Sequence, residues 1–259
     1  KDRNMTLQKN VKTEIVWLPS IDSTNEEIKR KAAEGAEEGL VIAADMQTAG
    51  KGRRGRAWQS PAGKNLYFSI LLRPEVKPDK ASMVTLLMAV AVQKAAAAVS
   101  GTETLIKWPN DVIMHGKKIT GILTEMYLKG EEIDFVVIGT GVNVKAQTFP
   151  EELVNASDIE TESGREISRK ELLKVIVDEF FTLYEEYVKT GNLLFVKETY
   201  EKALVNKDRE VLILDPAGEY RAVAEGIDEK GELLVRMADG IVRTVYAGEV
   251  SVRGIYGYV

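Results

Sequence analysis

Lys51, Arg53, Arg54 and Arg56 crowd into the stretch QTAGKGRRGRAWQSP (47–61), separated by Gly50, Gly52 and Gly55. Guanidinium groups grip phosphates and carboxylates with paired donors. Glycines let the backbone take positive φ and approach a ligand, so that successive N–H groups form an anion-binding nest. Together they suit the capture of a compact polyanion such as a nucleotide or an acyl phosphate. Two other readings stay open on these residues alone: a loop that tracks nucleic-acid phosphates, and a solvated charged turn. GKGRRG (50–55) spells G-x-G-x-x-G, but a dinucleotide fold needs a helix directly after it. The next element is instead the strand NLYFSILLR (65–73), and Glu75 follows Arg73-Pro74 rather than ending a strand. A P-loop pattern is absent.

Two further groups carry chemical potential. In KWPNDV (107–112), Pro109 stiffens a turn that presents Lys107, Asn110 and Asp111. Asp111 is a candidate Mg²⁺ ligand, since Mg²⁺ takes oxygen donors and phosphates; an Asn-Asp turn with a local ion pair is the plainer reading. Lys118, after Gly116, begins a strand and can point a cation into a shared pocket, although alone it is an ordinary turn lysine. In IGTGVNV (138–144), Gly139 and Gly141 imply close approach of a ligand or another backbone, with Asn143 as a polar neighbour. A bulge with a hydrogen-bonded Asn fits equally well. The chain has no cysteine, which excludes thiolate nucleophiles, and its one histidine, His115, lies in MHGKK, which reads as an exposed turn residue rather than a member of a catalytic triad.

Positioning these residues falls to a simple run of elements. TEIVWL (13–18) reads as a strand. Ser23 with Glu26 has capping-box spacing and opens a helix to about Ala33. LVIAADM (40–46) is a strand leading into the basic loop, and residues 80–99 form an apolar helix. TLIKW (104–108) and DVIM (111–114) flank the Pro109 turn, and ITGILTEMYL (119–128) and IDFVVIGTGVNV (133–144) form an antiparallel hairpin. Residues 133–144 are read as an exposed edge strand through which a homodimer could pair. Glu151 to Arg169 looks loop-like. Ser168 with Glu171 opens a helix to about Lys189, and another spans 193–204. After Val205, short strands alternate with turns, as in a small β-barrel.

The chain has 259 residues, enough for a large domain with a small companion. Its formal charge is −5, so the basic loop is a local feature rather than part of a basic surface. The apolar run at 83–99 is interrupted by Thr85, Gln93 and Lys94, so no membrane span is expected. The polar start lacks a signal-peptide core, and a cytoplasmic protein is expected.

In order and spacing, DSTNEE (22–27), QTAGKGRRGRAW (47–58), NLYFSILLRP (65–74), KWPNDV, GKKITGILTE (116–125) and IGTGVNV resemble the biotin protein ligases. The tail GIDEKGELLV…GEVSVR (226–253) is similar to their C-terminal barrel. The resemblance implies an α+β fold: a mixed, largely antiparallel sheet with helices packed on it, class II synthetase-like, followed by an SH3-like β-barrel. It places the catalytic domain at 1–205 and the barrel at 206–259. It implies ATP and biotin as substrates with Mg²⁺, formation of biotinyl-AMP, and transfer to a lysine of a biotin carboxyl carrier domain. Lipoate–protein ligase is the alternative enzyme, disfavoured by GRRGRAW.

The resemblance also implies roles. Ser23, Thr24, Asn25 and Gln47 would surround biotin. Gly50, Lys51, Gly52, Arg53 and Arg56 would form the loop closing over biotin and adenylate, with Gly121 and Gly139 on the same pocket. Lys118 would contact the biotin carboxylate and α-phosphate; Lys107, Asn110 and Asp111 would orient phosphates and metal. Gly141, Asn143, Glu249 and Arg253 would lie on the nucleotide side. Lys51 stands where many relatives have Arg, and no Trp follows position 109 to cover adenine. Only about 12 residues precede the first strand, too few for a winged helix-turn-helix, so DNA binding by this chain is not expected.

Overall fold

In the computed structural model, residues 11–247 and 251–254 are described. The first sheet contains β1 (Glu14–Leu18), β2 (Leu40–Ala44), β3 (Leu66–Leu72), β4 (Leu105–Lys107), β5 (Asp111–Met114), β6 (Lys117–Lys129) and β7 (Glu132–Val142). Their order is β1-β2-β3-β7-β6-β5-β4; β1 and β2 are parallel and the other pairs antiparallel. β3 is buried on both faces along its whole length, as its unbroken apolar run LYFSILL requires.

One face of the sheet carries α1 (Thr24–Ala33), whose Ile28 and Ala32 pack with Ile42, Leu71 and Val137. The other carries α2 (Met83–Ser100) and, outside it, α4 (Arg169–Thr190). By length and composition the segment Pro78–Ser100 would pass for a membrane span, with a mean hydropathy of 1.7. Its apolar residues are instead enclosed between sheet and α4, and Val84, Leu87 and Val90 have no exposed surface.

The second sheet is antiparallel and barrel-like, in the order β11-β10-β9-β8-β12. Its strands are β8 (Glu210–Asp215), β9 (Gly218–Ile227), β10 (Leu233–Arg236), β11 (Val242–Val245) and β12 (Ser251–Gly254). The turn between β9 and β10 is driven into the first domain. Trp108 Nε1 donates to the Gly231 carbonyl at 2.9 Å, and Leu193 N donates to the Glu229 carbonyl at 2.9 Å. The first residues after α5 (Leu194–Ala203) complete the seam: Val205 N donates to the Ile106 carbonyl, and the Asn206 side chain accepts from Trp108 N.

Three expectations need correction. Residues 133–144 are not an edge: β7 lies between β3 and β6 and is hydrogen-bonded on both sides, and the sheet edges are β1 and β4. The homodimer expected through that strand therefore loses its basis. Ser23 holds the N-cap position of α1 without a side-chain cap bond, and the reciprocal half of the box is missing too: Glu26 pairs with Lys29 and Lys51, and Ser23 N donates to Asp22 Oδ1 instead. By contrast Ser168 does cap α4, accepting from Glu171 N at 3.3 Å. The segment 151–169 is not all loop: it contains a 3-10 turn, Glu151–Leu153, and α3 (Ile159–Ser163), capped by the Asp158 carboxylate.

Gly231 has φ +81°, and a Cβ there would meet Leu86 at 2.6 Å and Leu193 at 2.8 Å. Gly231→Ala is expected to destabilise the fold by about 2 kcal/mol, combining overpacking with a left-handed backbone. Urea unfolding of both proteins measures this, and an unchanged midpoint would contradict the wedge.

Candidate active site

A cavity of about 870 Å³ opens over the sheet, between the N-terminus of α1, the basic loop, the Pro109 turn and the segment 147–156. Its floor is cut by glycines. Gly121 on β6 and Gly141 on β7 are direct cross-strand partners, and Gly139 lies two residues along the same face. A Cβ on Gly121 would come within 2.7 Å of the Trp58 ring, and one on Gly141 within 2.5 Å. The missing side chains form a trough, and the indole of Trp58 lies in it. At Gly139 the approaching atom is Asn25 Oδ1, 2.0 Å from where a Cβ would stand. The close approach expected at IGTGVNV is therefore made by two side chains.

A polar network builds the α1 side. Thr24 N donates to Gln47 Oε1 at 2.8 Å, and Gln47 Nε2 donates to Ser60 Oγ at 2.9 Å. Asn25 Nδ2 donates to Glu125 Oε2 at 2.7 Å, while its Oδ1 lies 2.5 Å from the fully buried Ser69 hydroxyl. With both ends of each amide engaged, Asn25 and Gln47 are held in one orientation, a rigid wall suited to a polar ligand of fixed shape.

The opposite side gathers cations. Lys107 is buried, with 6% exposed, and Lys118 Nζ sits 2.7 Å from Asp111 Oδ1 and 5.5 Å from the Trp58 ring centre. Burial pushes the Lys107 pKa down to about 8; Asp111 opposes this, and the nearby charges of Lys118 and Arg253 add to it. Arg53 Nη1 donates to Asn110 Oδ1 at 2.8 Å and Nη2 to the Ala247 carbonyl at 2.7 Å. Burial lowers the Arg53 pKa, with Asp111 opposing. Arg54 adopts φ +56° beside it and so turns the loop back on itself. Lys51, at the α1 side of the cavity, pairs with Glu26.

Among the expected residues, Ser23, Thr24, Asn25, Gln47, Lys51, Gly52, Arg53 and Arg56 line this one cavity. So do Lys107, Asn110, Asp111, Lys118, Gly121, Gly139, Gly141, Asn143 and Arg253. Gly50 does not line it: the backbone there packs so closely that a Cβ would lie 2.5 Å from the Trp58 carbonyl and 2.7 Å from Ser60 Oγ. Glu249 lies outside the described residues. Asn143 also has a structural duty, donating to the Ser157 carbonyl at 3.0 Å. His115 stays on its turn, exposed, 2.9 Å from Glu162.

Trp58 and Phe149 line the cavity too and were not singled out from the sequence. The available signal for Trp58 was the matched pair of strand glycines, which requires something flat and bulky above them. No group of three His, Asp or Glu side chains among the described residues forms a metal cage. The carboxylate of Asp111, amid cations and paired with Lys118, would suit Mg²⁺ that arrives with phosphates and stays partly hydrated.

Residues 17–143 match the biotin/lipoate A/B protein ligase family, and residues 208–253 match the biotin protein ligase C-terminal domain. The bifunctional ligase/repressor BirA of Bacillus spizizenii is 35% identical over 92% of this chain and 73% of its own length. The biotin–[acetyl-CoA-carboxylase] ligase of Paracoccus denitrificans is 29% identical over 85% of this chain and 92% of its own. The Aquifex aeolicus biotin protein ligase, solved in complex with biotin and ATP, superposes with a TM-score of 0.80 at 30% identity. That match covers 93% of this chain and 99% of the Aquifex chain.

The lowered Lys107 pKa yields a prediction about anion binding. With this pKa, Lys107 is charged below about pH 8 and neutral above it. Affinity for pyrophosphate should therefore fall as pH rises past that point, by up to about tenfold per unit. Lys107→Arg, which keeps its charge, should flatten the profile. Titration calorimetry across this range decides it; a flat wild-type profile would contradict the assignment.

Proposed function

This chain belongs to the biotin protein ligase family, and we propose that it activates biotin with ATP and passes it to a lysine of a biotin carboxyl carrier domain. The observation that carries this reading is the convergence in one cavity of a rigid polar wall at α1 and a cationic wall at the Pro109 turn. Two anions, a carboxylate and a triphosphate, have to be brought together there against their own repulsion.

In the first step a biotin carboxylate oxygen attacks the α-phosphorus. A P–O bond forms, and pyrophosphate leaves with the electrons of the bond that breaks. Thr24, Asn25 and Gln47 bind and orient the uncharged ring of biotin, with Ser23 beside them. Lys118 lies against both reacting groups and stabilises the charge that develops between them. Lys107 and Asn110 orient the phosphates, Asp111 would hold Mg²⁺, which would offset phosphate charge, and Gly141, Asn143 and Arg253 take the nucleotide side. Arg53 holds the adenylate, and Gly52 and Arg56 support its loop. In the second step the acceptor amine attacks the mixed-anhydride carbonyl: a C–N bond forms, the C–O bond breaks, and AMP leaves. Excluding water protects that anhydride between the steps.

No enzyme nucleophile is required, which agrees with a chain that has no cysteine and whose only histidine lies on an outer turn. The nucleic-acid reading of the basic loop is disfavoured because Arg53 is tied inward to Asn110 and Ala247. We place the catalytic domain at 1–205 and the barrel at 206–259, and a cytoplasmic setting, where ATP is abundant, is part of the same proposal.

Biotin-dependent exchange of pyrophosphate into ATP tests the first step, and the mass of a carrier domain after incubation with ATP and biotin tests the second. Absence of both in a folded, Mg²⁺-supplied sample would overturn the reading. Lys118→Ala should slow exchange by about a hundredfold, the scale of losing one charge-stabilising donor, while thermal unfolding stays close to wild type. Arg53→Gly should instead raise the release of biotinyl-AMP into solution, measured by filtration of the single-turnover complex.

A further inference from the structure

Two contacts cross from the barrel to opposite sides of the active site, one from the β9–β10 turn and the other from the segment that follows β11. At the Pro109 turn, the Gly231 carbonyl accepts from the Trp108 indole. At the basic loop, the Ala247 carbonyl accepts from Arg53. Glu232 joins them. It follows Gly231 in the chain, its backbone N donates to Asp228 Oδ1 at 3.0 Å, and its Oε2 accepts from Ala247 N at 2.9 Å. Ala247 is thus held on its N–H by Glu232 and holds Arg53 with its C=O. Burial raises the Glu232 pKa, and the nearby Asp228 charge raises it further. An acidic side chain in this setting, with one of its oxygens spent on a backbone amide, is arranged for holding rather than for solvation.

We propose that Glu232 is a positioning residue for the basic loop: it fixes Ala247, and Ala247 fixes the Arg53 guanidinium beside Asn110. Guanidinium has five N–H donors, and only two of them are spent on these protein acceptors. Held by these two acceptors, Arg53 is set in place before ligand arrives, which leaves less side-chain ordering for the binding step. The functional importance of this placement rests on the role assigned to Arg53 above, but the placement itself can be read without any ligand.

Trypsin supplies that reading, because the loop offers Lys51, Arg53, Arg54 and Arg56 as cleavage sites. In the ligand-free protein, Glu232→Asp, whose shorter side chain cannot span the gap to Ala247, should be cut within 51–56 roughly three- to tenfold faster than wild type. That is the scale of one net hydrogen bond, read through the population of the opened loop. Glu232→Gln keeps an oxygen acceptor at the same reach and should restore the wild-type rate. In an Arg53→Ala background, the difference between Glu and Asp at position 232 should vanish. Near-ultraviolet circular dichroism establishes that each variant is folded. Cleavage of Glu232→Asp at the wild-type rate would overturn the proposal, and so would an effect that persists undiminished in the Arg53→Ala background. The exchange assay on wild type is independent: its failure would remove the ligase reading and leave the cleavage result standing.

Discussion

Repulsion among like charges in a partly buried cleft is the constraint around which this structure is arranged. Lys51, Arg53, Arg54, Arg56, Lys107, Lys118 and Arg253 line the cavity, while Asp111 and Glu152 are the carboxylates among its described lining residues. Holding such an excess without a bound anion is costly, because low dielectric magnifies each pairwise repulsion. Each cation answers the problem differently. Lys118 takes Asp111. Arg53 is satisfied by two neutral oxygens. Lys51 leaves for Glu26 on the helix surface. Lys107 is buried near Lys118 and Arg253 as well as Asp111, and burial lowers its proton affinity. A polyanion in the cleft would offset this repulsion, so the arrangement of charges favours binding one.

The uncharged half of the site depends on a different economy, that of space. Removing side chains at Gly121 and Gly141 brings the sheet backbone close to whatever lies above it, and the indole of Trp58 occupies that position. The same loop that carries the cations therefore also carries the piece that packs into the floor. Movement of the loop in either direction must change charge and shape together.

Much of this was readable from the chain, in proportion to how local its causes are. Strands β1 to β7 and helices α1, α2, α4 and α5 follow from short-range periodicity and turn residues. The cationic character of the loop and the Pro109 turn follow from residue type. What escaped depended on distant partners. The glycines of IGTGVNV announced a close approach, but Trp58 and Asn25, which make it, lie more than eighty positions earlier in the chain. The hairpin of β6 and β7 was legible, yet its outer flank looked free because the pairing of β7 with β3 is a long-range event. Ser23 and Glu26 had the spacing of a capping box, but Lys29 on the same helix and Lys51 from the distant basic loop claimed the glutamate. Asp158, which caps the short α3, sat in a polar segment with no periodic signal to mark it.

The wedge formed by the β9–β10 turn has a further consequence for the chain as a physical object. Val211, Ile213, Ala224, Ile227, Leu233, Val235 and Val245 of the barrel belong to the same contiguous apolar core as Phe68, Leu87 and Phe180 of the first domain. A segment of some fifty residues encloses too little apolar surface to be secure by itself. Here its interior is continued by its neighbour's. The two sheets, drawn separately in any diagram, accordingly share one apolar interior, and losing the barrel would strip Trp108 and Arg53 of the carbonyls of Gly231 and Ala247.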